Sequence, residues 1–255
     1  MWFQIKSFFK FLISSSNQHG VHSPFVYLLV TKCFYNKKND TAYQKIIDYR
    51  TDSHKDCQEI NVTDFGAGSR VFTSNKRTVK AIAKNAGISL KRSKLLYRLT
   101  EYLEIKQVVE LGTSVGLSTA SMAANPKVSI LTIEGCKETA KTAQLAFKKH
   151  HFNNIHLKVG QFSEILPSLK TNIDLAYIDG NHSKEATLEN FRYLLKLKHN
   201  DSVFIFDDIY WSEEMQQAWQ EIKNHPEVTV TIDTFYWGLV FFRKEQAKEH
   251  FKIRI

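Results

Sequence analysis

From residue 107 onward, short apolar runs alternate with stretches whose apolar residues recur every three or four positions. The runs are "QVVEL", "VSILTIE", "IHLKV", "IDLAYID" and "SVFIFDD". Between them stand "STASMAAN", "KETAKTAQLAFKKHH", "SEILPSLK" and "KEATLENFRYLLKLK". A run that is apolar throughout leaves no wet face, which predicts a parallel sheet with helices on both sides. The rhythm then changes. "VTVTIDTF" and "GLVFFRK" follow each other across "YW", the pattern of a terminal antiparallel hairpin. Residues 1–105 carry the helical period instead, in "HSPFVYLLVTKCFY", "TAYQKIIDYR", "RTVKAIAKNAG" and "RSKLLYRLTEYL". In "HSPF", Ser23 is placed to cap a helix with Pro24 at its first position. The expected organisation is a basic helical extension and lid over 1–105, followed by an α/β domain over 106–255.

The opening "MWFQIKSFFKFLISSS" places Trp2, Ile5, Phe9 and Leu12 at three- and four-residue steps, so an amphipathic helix is expected there. Its apolar stripe has two destinations, the protein's own core or a membrane surface contacted through residues 1–13. No apolar run is long enough to cross a bilayer. Cys33, Cys57 and Cys136 are scattered and form no CxxC pair, which argues against a disulfide framework and a zinc site and fits a reducing cytoplasm.

Charge is uneven. Residues 1–106 hold 18 Lys/Arg against 8 Asp/Glu, whereas residues 107–255 hold 17 against 18. Between Asp64 and Glu101 stand nine basic residues and no acid: Arg70, Lys76, Arg77, Lys80, Lys84, Lys91, Arg92, Lys94 and Arg98. Such a block attracts anions, or else forms a solvated helical face.

Two glycine loops compete for a nucleotide-like ligand, "DFGAGSR" at 64–70 and "ELGTSVGLST" at 110–119. The second follows a strand and opens a helix, so Gly112 and Gly116 let the backbone turn tightly beneath a ligand. The next strand ends in Glu134, twenty-four residues after Glu110, where an acid grips two ribose hydroxyls. "DFGAGSR" lacks a second strand with a terminal acid at that distance. Gly66, Gly68 and Arg70 are therefore expected to form a lid or a structural turn.

"VVELGTSVGLST", "TIEG", "GQFSEILP", "YIDGNHSKEATLENF" and "FIFDDIYW" together resemble the class I S-adenosylmethionine-dependent O-methyltransferases. They are most similar to the catechol and caffeoyl-CoA type and to sugar O-methyltransferases with an Asp-Gly-x-His segment. Five parallel strands closed by an antiparallel hairpin is also that family's Rossmann-like sheet. The resemblance covers roughly residues 106–243 and implies an S-adenosylmethionine pocket of Glu110, Gly112, Thr113, Ser114, Gly116, Ser118, Glu134, Gln161 and Asp179. In it, Ser118 would meet the methionine carboxylate, Glu134 the ribose and Gln161 the adenine.

Asp179, Asp207 and Asp208 lie at the ends of the fourth and fifth strands, an oxygen set suited to Mg²⁺. The family places Asp-Asn where this chain has Asp207–Asp208. His182 stands where catechol-type enzymes carry a basic lysine, which implies proton removal from a small hydroxyl acceptor, with Asp179 beside it. An alternative role for His182 is to cap the following helix. An anionic acceptor would suit the basic block. The residues also leave open an RNA methyltransferase, a non-catalytic binding protein of the same fold, and a homodimer. The absence of an N-P-P-Y segment or a recognisable RNA-binding module speaks against nucleic acid.

Overall fold

A computed structural model describes residues 2–65 and 74–255. The chain divides into two compact units, one formed by residues 36–165 and the other by residues 1–35 with 166–255. This division differs from the boundary expected at 105/106. The reason lies in packing: helices α3 (Ala42–Lys55) and α5 (Leu90–Tyr102) both pack on α6 (Leu117–Ala123), so the helical segment shares the core of the first three sheet strands.

In the 36–165 unit, β3 (Gln107–Leu111), β4 (Ser129–Glu134) and β5 (Ile155–Val159) run parallel in that order. The helix α6 joins β3 to β4, and α7 (Lys137–Lys149) joins β4 to β5. Parallel strands joined this way bring all their C-terminal ends to one edge. A small antiparallel pair, β1 (Glu59–Asn61) and β2 (Lys76–Thr78), precedes α4 (Val79–Asn85). Thr78 and Ser89 cap α4 and α5 through their hydroxyls.

The other unit orders its strands β10-β8-β9-β7-β6. Strands β6 (Ile173–Ile178) and β7 (Lys198–Asp207) are parallel, joined by α9 (Lys184–Leu195). Past α10 (Glu213–Asn224), β8 (Val230–Asp233) and β9 (Trp237–Phe241) form the expected hairpin, with β9 antiparallel to β7. Strand β10 (Glu249–Lys252) was not legible in the sequence: "EHFK" has no apolar run, and it adds to β8 as a parallel edge strand. Gly238 is required where Trp219 lies flat on β9, since a Cβ there would sit 2.6 Å from the indole.

Ser23 caps α2 (Pro24–Leu28) as expected, and the helix continues as a π-turn through Phe34. Helix α1 (Trp2–Ser14) forms, but the stripe read from its sequence does not face the core. Phe11 and Ser7 are its buried residues, whereas Trp2, Ile5, Phe9 and Leu12 are exposed. Among the described residues, no helix is long and apolar enough to cross a membrane.

Candidate active site

The loop after β3 is built around one buried acid. Glu110 is fully buried, and its carboxylate accepts hydrogen bonds from Ser118 Oγ at 2.5 Å, Thr119 Oγ1 at 2.5 Å and Thr132 Oγ1 at 2.7 Å. Thr132 reaches it because parallel register sets Thr132 of β4 beside Glu110 of β3. Thr113 shares the Thr132 hydroxyl at 2.6 Å. Burial pushes Glu110 up to about 7; the three hydroxyls pull against this, and the charge of Glu134 adds to it.

That shift has a pH signature. Between the ordinary carboxyl value of 4.5 and about 7, the folded chain holds a proton that the unfolded chain has released. Stability from this group is therefore complete below about pH 4.5 and declines as pH rises through about 7, by about 3 kcal/mol in all. Urea unfolding of Glu110→Gln should remove this decline, because the amide holds no proton that titrates over this range. An unchanged slope in the variant would assign the decline to other groups.

Gly112 (φ 98°) and Gly116 (φ 79°) both adopt left-handed backbone, and Ser114 between them has φ 49°. Gly116 also has no room for a side chain: a Cβ would lie 2.5 Å from Phe147 Cε1 and 2.5 Å from the Tyr49 hydroxyl. Tyr49, from α3, is buried and donates to the Val115 carbonyl at 2.9 Å, fixing the loop from beneath. Sequence reasoning did not single out Tyr49, because nothing in "IIDYRT" shows which tyrosine turns inward.

Glu134 ends β4 at the same edge. Its two oxygens accept the backbone N–H of Ser114 at 2.8 Å and of Cys136 at 2.9 Å. Burial raises its pKa, those backbone bonds lower it, and the charge of Asp64 raises it. The loop thus already turns Ser114 toward the acid expected to hold a ribose. After β5, Gly160 donates to the Glu134 carbonyl at 3.0 Å, and exposed Gln161 follows at the start of α8 (Phe162–Ile165). Ser118, in the first turn of α6, gives its hydroxyl hydrogen to Glu110 and so braces the loop.

Residues 61–65 belong to this edge too. Asn61 N–H donates to Glu138 Oε2 at 2.7 Å, and Thr63 N–H points to Cys136 Sγ at 3.4 Å. Phe65 lies over Gly135, where a Cβ would come within 2.7 Å of its ring. The "DF" of "DFGAGSR" therefore borders Glu134. Gly66, Gly68 and Arg70 lie outside the described residues. Part of the basic block is used in packing: Lys94 sits 4.9 Å from the centre of the Tyr43 ring, and Arg98 donates to the Tyr43 hydroxyl at 3.4 Å.

In the other unit, Asp179 follows β6, and Asp207 ends β7 beside it in register. His182 Nε2 is 3.8 Å from Asp179 Oδ1, and both side chains are half-buried. The imidazole is 5.5 Å from the Trp211 ring, a tilted contact that marks Trp211 as part of the site. Ser183, not His182, caps α9, accepting from Ala186 N–H at 3.3 Å.

The expected metal trio of Asp179, Asp207 and Asp208 does not fit a cation here. Asp207 is buried and already accepts from the Tyr177 hydroxyl at 2.7 Å and from Asp208 N–H at 2.8 Å. Asp208 adopts left-handed backbone (φ 53°). Among the described residues, no three His, Cys, Asp or Glu side chains gather as metal ligands. Of the three, Asp207 has its two oxygens taken up by protein donors.

Residues 109–209 match the family model described as "Methyltransferase domain". Protein R132 of Acanthamoeba polyphaga mimivirus is 30% identical over 127 residues, 45% of this chain and 58% of that protein. "O-methyltransferase hkm8" of Aspergillus hancockii is 29% identical over 124 residues, 46% of this chain and 49% of that one. The chain thus spans about half the length of these curated relatives. The fold is that of the S-adenosylhomocysteine-bound Podospora anserina methyltransferase PaMTH1, at a TM-score of 0.63 and 13% identity, over 88% of this chain and 97% of that one. The glycine loop and the strand-end acids Glu134, Asp179 and Asp207 all lie inside the segment that is similar to a methyltransferase domain.

Proposed function

We propose that this protein transfers the methyl group of S-adenosylmethionine to a hydroxyl of a small acceptor. The observation that carries this reading is the edge formed by Gly112, Ser114, Gly116 and Glu134, a left-handed loop with a half-buried carboxylate at its rim. That arrangement fits an amino acid joined to a nucleoside. The glycines admit the ligand close to the backbone, and Glu134 accepts from both ribose hydroxyls. Bound there, the cofactor supplies a sulfonium methyl group for in-line displacement.

The remaining tasks fall to the chain's own residues. His182 takes the proton from the acceptor hydroxyl, and the Asp179 carboxylate steadies the imidazolium that results. Trp211 lies against the imidazole, with ring centres 5.5 Å apart. No step is routed through a metal, because Asp207 is already engaged. The O-methyl assignment is supported by the name of the Aspergillus relative and by the hydroxyl-directed base.

A thermal melt with and without S-adenosylhomocysteine tests the cofactor assignment. At a hundred times its Kd the ligand should stabilise the fold by about 2.7 kcal/mol, a rise of roughly 5–10 °C for a chain of this size. An unmoved midpoint at saturating ligand would remove the methyltransferase reading.

A further inference from the structure

Helix α1 has two faces of different kinds. On one side Phe11 is buried against Phe235, 5.7 Å between ring centres, and Phe8 leans on the same ring at 4.9 Å. On the other side Trp2 is 79% exposed, Phe9 61% and Ile13 87%, with Ile5 and Leu12 between them. At 3.6 residues per turn, Phe8 and these five fall within an arc of about 140°. Lys6 and Lys10, both exposed, border that arc on one edge. This is a continuous apolar stripe with a cationic margin; Trp2, Phe9 and Ile13 stand most open to water, and Ile5 (42% exposed) and Leu12 (36%) between them remain accessible.

The helix is also held in place before anything meets it. Ser16 bridges to Ile253, with Ser16 N–H donating to the Lys252 carbonyl at 2.9 Å and Arg254 N–H to the Ser16 carbonyl at 3.1 Å. Lys252 Nζ reaches Ser14 Oγ at 3.0 Å. The stripe is therefore an ordered platform, and binding through it requires no further folding of the helix.

We propose that α1 lies on an anionic lipid surface, with Trp2, Ile5, Phe9, Leu12 and Ile13 in the headgroup boundary and Lys6 and Lys10 among the phosphates. Charge selects this occupant. Residues 1–39 contain five lysines and no Asp or Glu; the first acid of the chain is Asp40. A second copy docking the same face by two-fold symmetry would bring like charges together. The stripe is also small for a dimer. A face about 20 Å long and roughly 10 Å wide falls well short of the ~800 Å² per partner of a stable interface. A surface-lying helix needs only an apolar face, flanking lysines and aromatic residues at the boundary.

The test is flotation of the full chain with vesicles of phosphatidylcholine alone and of phosphatidylcholine mixed with phosphatidylglycerol. The protein should float with the mixed vesicles, and the bound fraction should fall as salt is raised. Lys6→Gln with Lys10→Gln should weaken partitioning about 25-fold, about fivefold for each lysine. Phe9→Asp with Ile13→Asp should abolish it while leaving the melting temperature unchanged, because both side chains already face water. Three results overturn the proposal. One is no flotation with the mixed vesicles at low salt. Another is flotation that Phe9→Asp/Ile13→Asp leaves intact, which would assign binding to the basic block. The third is a dimer in light scattering that the same pair dissociates, which would make a second copy the occupant.

Discussion

Gly116→Ala should cost about 2–5 kcal/mol of stability. Two terms combine. Left-handed backbone at φ 79° costs a non-glycine residue about 1–2 kcal/mol. The added Cβ also meets Phe147 and Tyr49 at 2.5 Å, and neither can yield. Phe147 stacks on Tyr49 with ring centres 5.8 Å apart, and Tyr49 is tied to the Val115 carbonyl. Overpacking of this kind costs about 1–3 kcal/mol. The melting temperature should fall by roughly 5–20 °C. Calorimetry reads this directly, and a variant melting with the parent would show that residues 112–116 do not hold this turn.

The second large effect is on the ligand. Glu134→Ala should weaken S-adenosylhomocysteine binding by about 10²–10⁴-fold, because each hydrogen bond from a ribose hydroxyl to a carboxylate contributes about 1.5–3 kcal/mol. Part of that loss is indirect, since the Ser114 and Cys136 N–H groups would lose their acceptor and the loop would loosen. Glu134→Gln separates the two contributions. Its amide oxygen can still take one backbone N–H, so its loss should be closer to tenfold, with most of the stability retained. Isothermal titration of both variants gives the comparison. Wild-type affinity in Glu134→Ala would mean that the nucleoside does not sit at the end of β4.

These two residues also show how much the sequence could reveal. Gly116 and Glu134 were legible because their requirements are local. A tight turn between a strand and a helix needs glycine, and a strand-end acid is readable from the strand itself. The bond from Ser118 to Glu110 was not legible. The hydroxyl reaches Glu110 only because α6 folds back over β3, and Thr132 joins from the neighbouring strand. The Asp179–Asp207–Asp208 trio was legible only as three strand-end carboxylates. Sequence does not show that Tyr177 and a backbone amide already satisfy Asp207.

Helix α1 gives the same lesson in reverse. Its periodicity established an amphipathic helix, yet only the packed structure showed which side was taken. Phe235, from the β8–β9 turn, claims Phe11 and leaves the broader apolar stripe in water.

The sequence by itself determined the order of strands and helices from β3 to β9, the glycine turn after β3, the acid that ends β4 and the imbalance of charge. Each element and turn is written in residues close in sequence, and the charge imbalance is a matter of composition alone. Only the tertiary structure decided how the buried acid Glu110 is satisfied, which tyrosine braces the loop, that β10 joins β8, and which face of α1 is left exposed. Those outcomes depend on pairings between distant residues, and no local pattern specifies which donor, ring or edge will arrive.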